Sequence, residues 1–298
     1  MANYKSQVSL LLSVLPEVAQ ETCFALHGGT AINLFVREMP RLSVDIDLTY
    51  VPLEDRETSF KDITGALERI KATIETVVPN AKVVHKQAEL KLQISNIQAQ
   101  IKLEVNQAMR GTITPPIKMT LCEKAQEAFD AFCEIAIVPI GQLYGGKICA
   151  ALDRQHPRDF FDVKYLLENE GFTEEVRTGF LFGLLSSNRP LHEMLAPNLL
   201  DQRSVMANQF EGMSEEVFAY EDFETTRNLL LKTIHENLTD SDKEFLLSFE
   251  NNTPNWNAYN FEDYPAVQWK LQNLQKLKEA NPEKHREQLE LLESGLTA

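Results

Sequence analysis

The chain has 298 residues, of which 43% are hydrophobic and 24% charged, with a formal net charge of −15. This is the composition of a globular protein with one or two domains and a sizeable core. The acidity argues against a protein that coats nucleic acid nonspecifically, because that binding depends on neutralising phosphates. No apolar run approaches the roughly 18 residues a membrane helix needs. The N-terminus, MANYKSQVSLLLSVLPEVAQE, lacks a basic start and a small-residue cleavage site. It reads as an amphipathic helix rather than a signal peptide, which predicts a cytoplasmic protein. Four cysteines (Cys23, Cys122, Cys133 and Cys149) form no C-x-x-C pair and no zinc-spaced cluster, and read as reduced core residues.

The spacing predicts a helix over about 6–20 and a short strand from Cys23 to Leu26. His27-Gly28-Gly29-Thr30 and a short helix to about Glu38 follow, ended by Pro40. A strand is expected from Ser43 to Val51 and a helix over 56–77, stopped at Pro79-Asn80. Strands are expected at Lys82–Lys86, Glu89–Ser95 and Gln98–Gln107, the last two joined by a tight turn at Asn96-Ile97. A strand at Glu134–Val138 closes the mixed part. Helices are then expected at Gln142–Asp153, Asp159–Glu168, 174–186, 213–235 and 240–250, with one or two more over 264–295. The fold class is α+β: a mixed-sheet domain over 1–138 with flanking helices, followed by a helical domain over 139–298.

The chemistry concentrates in residues 26–51, LHGGTAINLFVREMPRLSVDIDLTYV. Asp45 and Asp47 are two apart on a strand, so both carboxylates project from one face while Val44, Ile46 and Leu48 face the other way. Such a pair repels itself and is rarely kept without a cation. Mg²⁺ suits it, since that ion takes carboxylates, water and substrate phosphates. Upstream, Gly28-Gly29-Thr30 links a strand to a helix N-terminus. There the backbone amides and dipole favour phosphate, and Thr30 could cap the helix or bind phosphate through its hydroxyl. The two halves together describe a site for a nucleoside triphosphate and its magnesium ion. Glu104, on the alternating strand QIKLEV, is the candidate third carboxylate, shared with a second metal. The bland alternative is an exposed strand glutamate. Residues 81–124 carry seven Lys/Arg against three acids, either an RNA-binding groove or a solvated sheet face.

The GGT…SVDIDL arrangement resembles the nucleotidyltransferase superfamily related to DNA polymerase β, and more closely the AbiEii/AbiGii toxin family, which includes the MenT-type toxins. The first family motif falls on Gly28, Gly29, Thr30, Arg41, Ser43, Asp45 and Asp47, with Thr30 where serine is also found. The second falls on GGKICAALDRQHPRDFFDVKYLL, residues 145–167, and picks out Lys147, Arg154, Arg158, Asp159 and Asp162. Ala266–Leu277 is similar to the family's C-terminal helix. The resemblance implies a Mg²⁺-dependent enzyme that moves a nucleotide from a nucleoside triphosphate to an acceptor, with release of pyrophosphate. It also implies a tRNA 3′ end as acceptor and a cognate antitoxin as partner. Lys147 would follow Gly145-Gly146 at a helix start and offset triphosphate charge; Arg154 lies two turns further on the same face. Asp159 caps the next helix or, with Asp162, orients Lys147 and Arg154. Arg41 contacts phosphate or pairs with an acid, and Ser43 supports the strand start. Three alternatives stay open: a protein-modifying transferase, an antibiotic-modifying transferase, and a nucleotide-binding module without catalysis.

Overall fold

The computed structural model describes residues 4–297. It divides into two units, one built from the residues up to Pro139 together with Gly212–Val217, the other from Ile140–Glu211 and the residues from Phe218 onward.

In the first unit, α1 (Tyr4–Val18) buries Val8, Leu11, Val14, Leu15 and Val18, at the three- and four-residue spacing of one helix face. Next come β1 (Phe24–His27), α2 (Gly28–Ala31) and β2 (Asp45–Tyr50). The expected single short helix after β1 is one α-turn followed by a π-turn over Ile32–Val36, closed by the Arg37 amide donating to the Ile32 carbonyl. The long helix α3 (Arg56–Val77) starts at Asp55, whose side chain accepts from the Thr58 amide at 3.0 Å, as an N-cap should. Strands β3 (Lys82–Lys86), β4 (Lys91–Ser95) and β5 (Gln100–Val105) follow. The β4–β5 turn spans Asn96–Ala99 rather than two residues, with Asn96 Oδ1 accepting the Gln98 and Ala99 amides. The sequence reading missed β6 (Ile117–Thr120) and α4 (Glu123–Phe129); β7 (Glu134–Ile137) lies where it was expected.

The seven strands form one mixed sheet in the order β3-β4-β5-β2-β1-β7-β6. Strand β2 sits at its centre, antiparallel to β1 and parallel to β5. Ile46 and Leu48 of β2 are fully buried, as are Leu103 of β5 and Leu92 of β4. Apolar positions on one face therefore fix the register, because a one-residue slip would turn them all outward.

The second unit holds α5 (Ile140–Arg154), α6 (Pro157–Glu168), α7 (Glu174–Ser186), α8 (Leu191–Leu195), α9 (Arg203–Gln209), α10 (Tyr220–Asn237), α11 (Asp240–Glu250), α12 (Pro265–Ala280) and α13 (Pro282–Thr297). The helix expected over 213–235 begins only at Tyr220, and α8 and α9 were not anticipated. Thr239 caps α11 by accepting the Asp242 amide, and Pro282 divides the last helical stretch in two. Lys270 of α12 donates to the carbonyls of Leu184 and Arg189 at 2.9 and 2.7 Å, and burial lowers its ammonium to about 8. Among the described residues no helix is long and apolar enough to cross a membrane. Cys122, Cys133 and Cys149 are buried free thiols, and Cys23 is half-buried.

Helices α5 and α7 touch backbone to backbone. A Cβ on Gly145 would lie 2.1 Å from the Gly179 carbonyl carbon, and one on Gly179 would lie 2.0 Å from the Gly141 carbonyl oxygen. Gly145 is therefore a packing residue, and α5 starts at Ile140, five residues before it. Gly145→Ala is expected to force the helices apart and cost roughly 1–3 kcal/mol or more. The neighbouring Gly146 has nothing within 4 Å of a Cβ, so Gly146→Ala should be neutral or gain up to about 1 kcal/mol from helix propensity. Gly145→Ala should therefore melt well below wild type and Gly146→Ala at or above it; equal shifts would refute the packing argument.

Candidate active site

The aspartate pair stands as the strand alternation requires. Asp45 and Asp47 are half-buried and share one face of β2, with Ile46 and Leu48 in the core behind them. The register places His27 of β1 beside Asp47, Glu104 of β5 on its other side, and Lys102 beside Asp45. Next to β5, Lys91 of β4 pairs with Glu104 and Gln93 with Lys102. Residues directly opposite in a sheet project from the same face, so Asp45, Asp47, Glu104, Lys91 and Lys102 form one row of charges. A cleft of about 250 Å³ opens there, lined by His27, Asp47, Glu89, Lys91, Glu104, Val105 and Asn106.

The two glycines are explained first by contact. Gly28 has φ +72, and its missing Cβ would lie 2.6 Å from Asp47 Oδ2; a Cβ on Gly29 would lie 2.7 Å from Arg41 Nη2 and 3.0 Å from Ser43 Oγ. Glycine here lets the aspartate and the Arg41–Ser43 loop close over the start of α2. The first turn of that helix leaves backbone amides without intrahelical acceptors. Thr30 is fully buried, and its hydroxyl donates to the Asp45 carbonyl with Ser43 Oγ 3.0 Å away. That side chain, read from sequence as a helix cap or a phosphate ligand, ties α2 to the start of β2. Ser43 supports the strand start, as expected.

Arg41 is buried; its Nη1 donates to the Leu42 carbonyl at 3.0 Å, and its backbone bridges to Ser214. The Leu42 amide donates to the Met213 carbonyl at 2.7 Å. The segment 212–217, all but Gly212 of it read from sequence as the start of a helix, is thus an irregular strap holding the loop that leads into the aspartates.

Glu104 stands next to Asp47 in the β2–β5 register, but its carboxylate is engaged by the Lys91 ammonium, with Lys102 3.8 Å away. That hydrogen bond raises the Lys91 pKa above its ordinary value. Among the described residues no three His, Cys, Asp or Glu side chains converge as a ready metal cluster. The donor set that fits a hard cation is Asp45 and Asp47, two carboxylates sharing a face with room at the cleft for water and phosphate oxygens. Of the basic residues over 81–124, Arg110 is buried, while Lys118 and Lys124 pair with Glu134 and Glu215.

Lys147, Arg154, Asp159 and Asp162 form a cluster inside the second unit. Lys147 Nζ lies 2.8 Å from Asp159 Oδ1 and 3.0 Å from Asp162 Oδ2, with side-chain exposures of 5%, 1% and 1%. Arg154, on the same carboxylate, donates from Nε and Nη2 at 2.6 and 2.9 Å and leaves its side chain 55% exposed. Burial by itself raises the Asp159 carboxyl, but Lys147 and Arg154 outweigh it and hold that group far below the usual range. Asp159 orients both cations and Asp162 pairs with Lys147, while the cap of α6 is His156 rather than Asp159. Lys147 is mid-helix rather than at the expected helix start, and its ammonium sits between two buried carboxylates. Arg158 opens α6 half-exposed; its amide donates to His156 Nδ1 at 3.1 Å.

Sequence reasoning gave no role to His27, and counted Lys91 and Lys102 only in the basic stretch 81–124; all three line or border the carboxylate row. His27 was visible beside the glycines, and its Nδ1 lies 2.9 Å from Thr49 Oγ1. The lysines alternate with apolar residues on their strands, a signal for facing but not for partners.

The family described as "Nucleotidyl transferase AbiEii toxin, Type IV TA system" matches residues 9–273. Among curated proteins, none matches the sequence. Among solved structures, MenT4, a nucleotidyltransferase toxin from Mycobacterium tuberculosis H37Rv, is similar with a TM-score of 0.63 and 14% identity, over 92% of this chain and 95% of that chain. At this identity the likeness shows the fold, a mixed sheet with a helical C-terminal part, over nearly the whole chain. The family match spans both the aspartate strand and the Lys147–Asp162 cluster, and on it the chain belongs to the AbiEii family of nucleotidyltransferase toxins of type IV toxin–antitoxin systems.

Proposed function

We propose that this nucleotidyltransferase moves a nucleoside monophosphate from a nucleoside triphosphate to the 3′ end of tRNA, in the cytoplasm, as a toxin opposed by a cognate antitoxin. The observation that carries the reading is the pair of half-buried aspartates on β2, closed against Gly28 at the start of α2. Asp45 and Asp47 would hold Mg²⁺. The ion would draw negative charge from the phosphate oxygens and the leaving pyrophosphate. We assign this chemistry to the unit that carries the sheet. Backbone amides of Gly29 and Thr30 serve the phosphates, while the buried Thr30 hydroxyl and Ser43 keep α2 and β2 in register. An acceptor hydroxyl attacks the α-phosphorus, the bond to the β-phosphate oxygen breaks, and pyrophosphate leaves. The catalysis is positioning plus charge stabilisation.

The acceptor is tested by incubating the protein with each α-labelled nucleoside triphosphate, total tRNA and total protein. Label is expected at tRNA 3′ ends, removable by trimming the terminal nucleotides. Label in the protein fraction alone would mark a protein-modifying transferase, and label in a small molecule an antibiotic-modifying one. With a net charge of −15, tRNA capture should rest on few phosphate contacts, and its affinity should therefore fall only shallowly with salt.

A further inference from the structure

The carboxylate expected to share a second metal already has a cation. Glu104 faces Asp47 across the β2–β5 register and Lys91 across the β4–β5 register. The Lys91 ammonium is paired with Glu104 Oε1. Lys102 lies 3.8 Å from that same oxygen and 3.8 Å from Asp45 Oδ1. Lys91 is no freely waving surface lysine. Its side chain is 21% exposed, it rises from a strand bonded on both sides, and it lines the cleft with His27, Asp47 and Asn106.

We infer that Lys91 takes the place of the second divalent cation, so that the site works with one Mg²⁺. The inference rests on the reading of Asp45 and Asp47 as ligands of the first. Charge balance supports it. Two divalent ions on three bare carboxylates would leave the row at +1. One divalent ion together with Lys91 and Lys102 leaves it at the same +1. A triphosphate therefore meets the same net field, and the part of it that the protein supplies is fixed before substrate arrives. A dication brought to Glu104 would have to displace an ammonium at hydrogen-bond contact, so that part of the cleft is served by a lysine that is covalently part of the sheet. Lys91 acts as a positioning residue through Glu104.

Titration of Mn²⁺ alone into the full chain, with free ion followed by electron paramagnetic resonance, counts the sites. Wild type is expected to bind one ion, and Asp47→Asn to lose it. Lys91→Gln is expected to bind two, the second lost again in Lys91→Gln/Glu104→Gln, and Lys91→Arg to stay at one. The order of the transfer rate in Mg²⁺ should likewise rise from first to second in Lys91→Gln. Two ions in wild type, or still one in a folded Lys91→Gln, would overturn the role of Lys91 and leave the aspartate site standing. A single ion indifferent to Asp47→Asn would overturn the aspartate site itself, and this inference with it. Thermal melts check folding, and Lys91→Met, which keeps the aliphatic stem, serves if the glutamine variant does not fold.

Discussion

Asp47→Asn is expected to slow nucleotidyl transfer by at least about a hundred- to a thousandfold, the usual cost of removing one preorganised charge-stabilising group, while the protein melts at or above the wild-type temperature. The two halves of this expectation have one cause. Asp47 stands beside Asp45 on its strand and beside Glu104 on the next, and like charges at such positions repel. Asparagine keeps the shape that fits over Gly28, where the aspartate Oδ2 sits 2.6 Å from the position of an absent Cβ. It removes one of the repelling charges, and Ile46 and Leu48 stay in the core. A folding residue behaves the other way, losing stability first and activity as a result. Pyrophosphate release and a thermal melt on the same sample separate the cases. Wild-type turnover in the variant would end the assignment of this aspartate, and a large drop in melting temperature would show that its role is structural.

What could be read beforehand follows from what a strand pattern encodes. In DIDL the alternation gives both the facing of the aspartates and the burial of Ile46 and Leu48, because side chains alternate with period two whatever the partner strand is. The same logic put Glu104 on the correct face of its strand. Which side chain sits across from it is a different kind of fact. Lys91 meets Glu104 only because a four-residue turn held by Asn96 sets the β4–β5 register, and a two-residue connection would have paired the strands otherwise. Strand β6 escaped notice for a related reason: Ile117 to Thr120 are mostly exposed at the sheet edge and carry no core signal. The strap 212–217, all but Gly212, was mistaken for helix. Its decisive features, positive φ at Gly212, a buried Met213 and the bond from Leu42 to the Met213 carbonyl, depend on residues some 170 positions earlier. Gly145-Gly146-Lys147 illustrates the limit of motif reading. Two glycines before a lysine suggest an anion cradle, but Gly145 is there for the contact with α7 and the lysine points into a buried ion network. A family motif can mark such a position without revealing whether it serves chemistry or the fold.

Lys147→Met is expected to be the most destabilising of these substitutions, by roughly 3–5 kcal/mol, because it removes the cation that two buried carboxylates share and leaves Asp159 with Arg154 only at its edge. For a unit of this size that is a fall in melting temperature of about 10 °C. Its pH dependence should also change sign. In the wild type, Asp159 has a carboxyl held far below the 3.8 of an unfolded chain. Its contribution is therefore complete above about pH 4 and is lost as the pH falls through the folded value. In Lys147→Met, Asp159 and Asp162 keep their burial but lose the shared ammonium, so desolvation raises at least one of them above its unfolded value. That group favours folding when protonated, and relative to the wild type, whose Asp159 adds no slope in this range, the variant should gain stability as the pH is lowered from 7 towards 5. Lys147→Met/Asp162→Asn should recover part of the loss across the whole range. Urea titrations at pH 5 and 7 read all three proteins, and a single variant within about 1 kcal/mol of wild type would contradict the network. Transfer measured well below the melting point then decides between fold and chemistry: a lysine whose charge is spent on two aspartates should leave the turnover of the folded fraction within a few-fold of wild type, whereas a lysine that binds triphosphate should not.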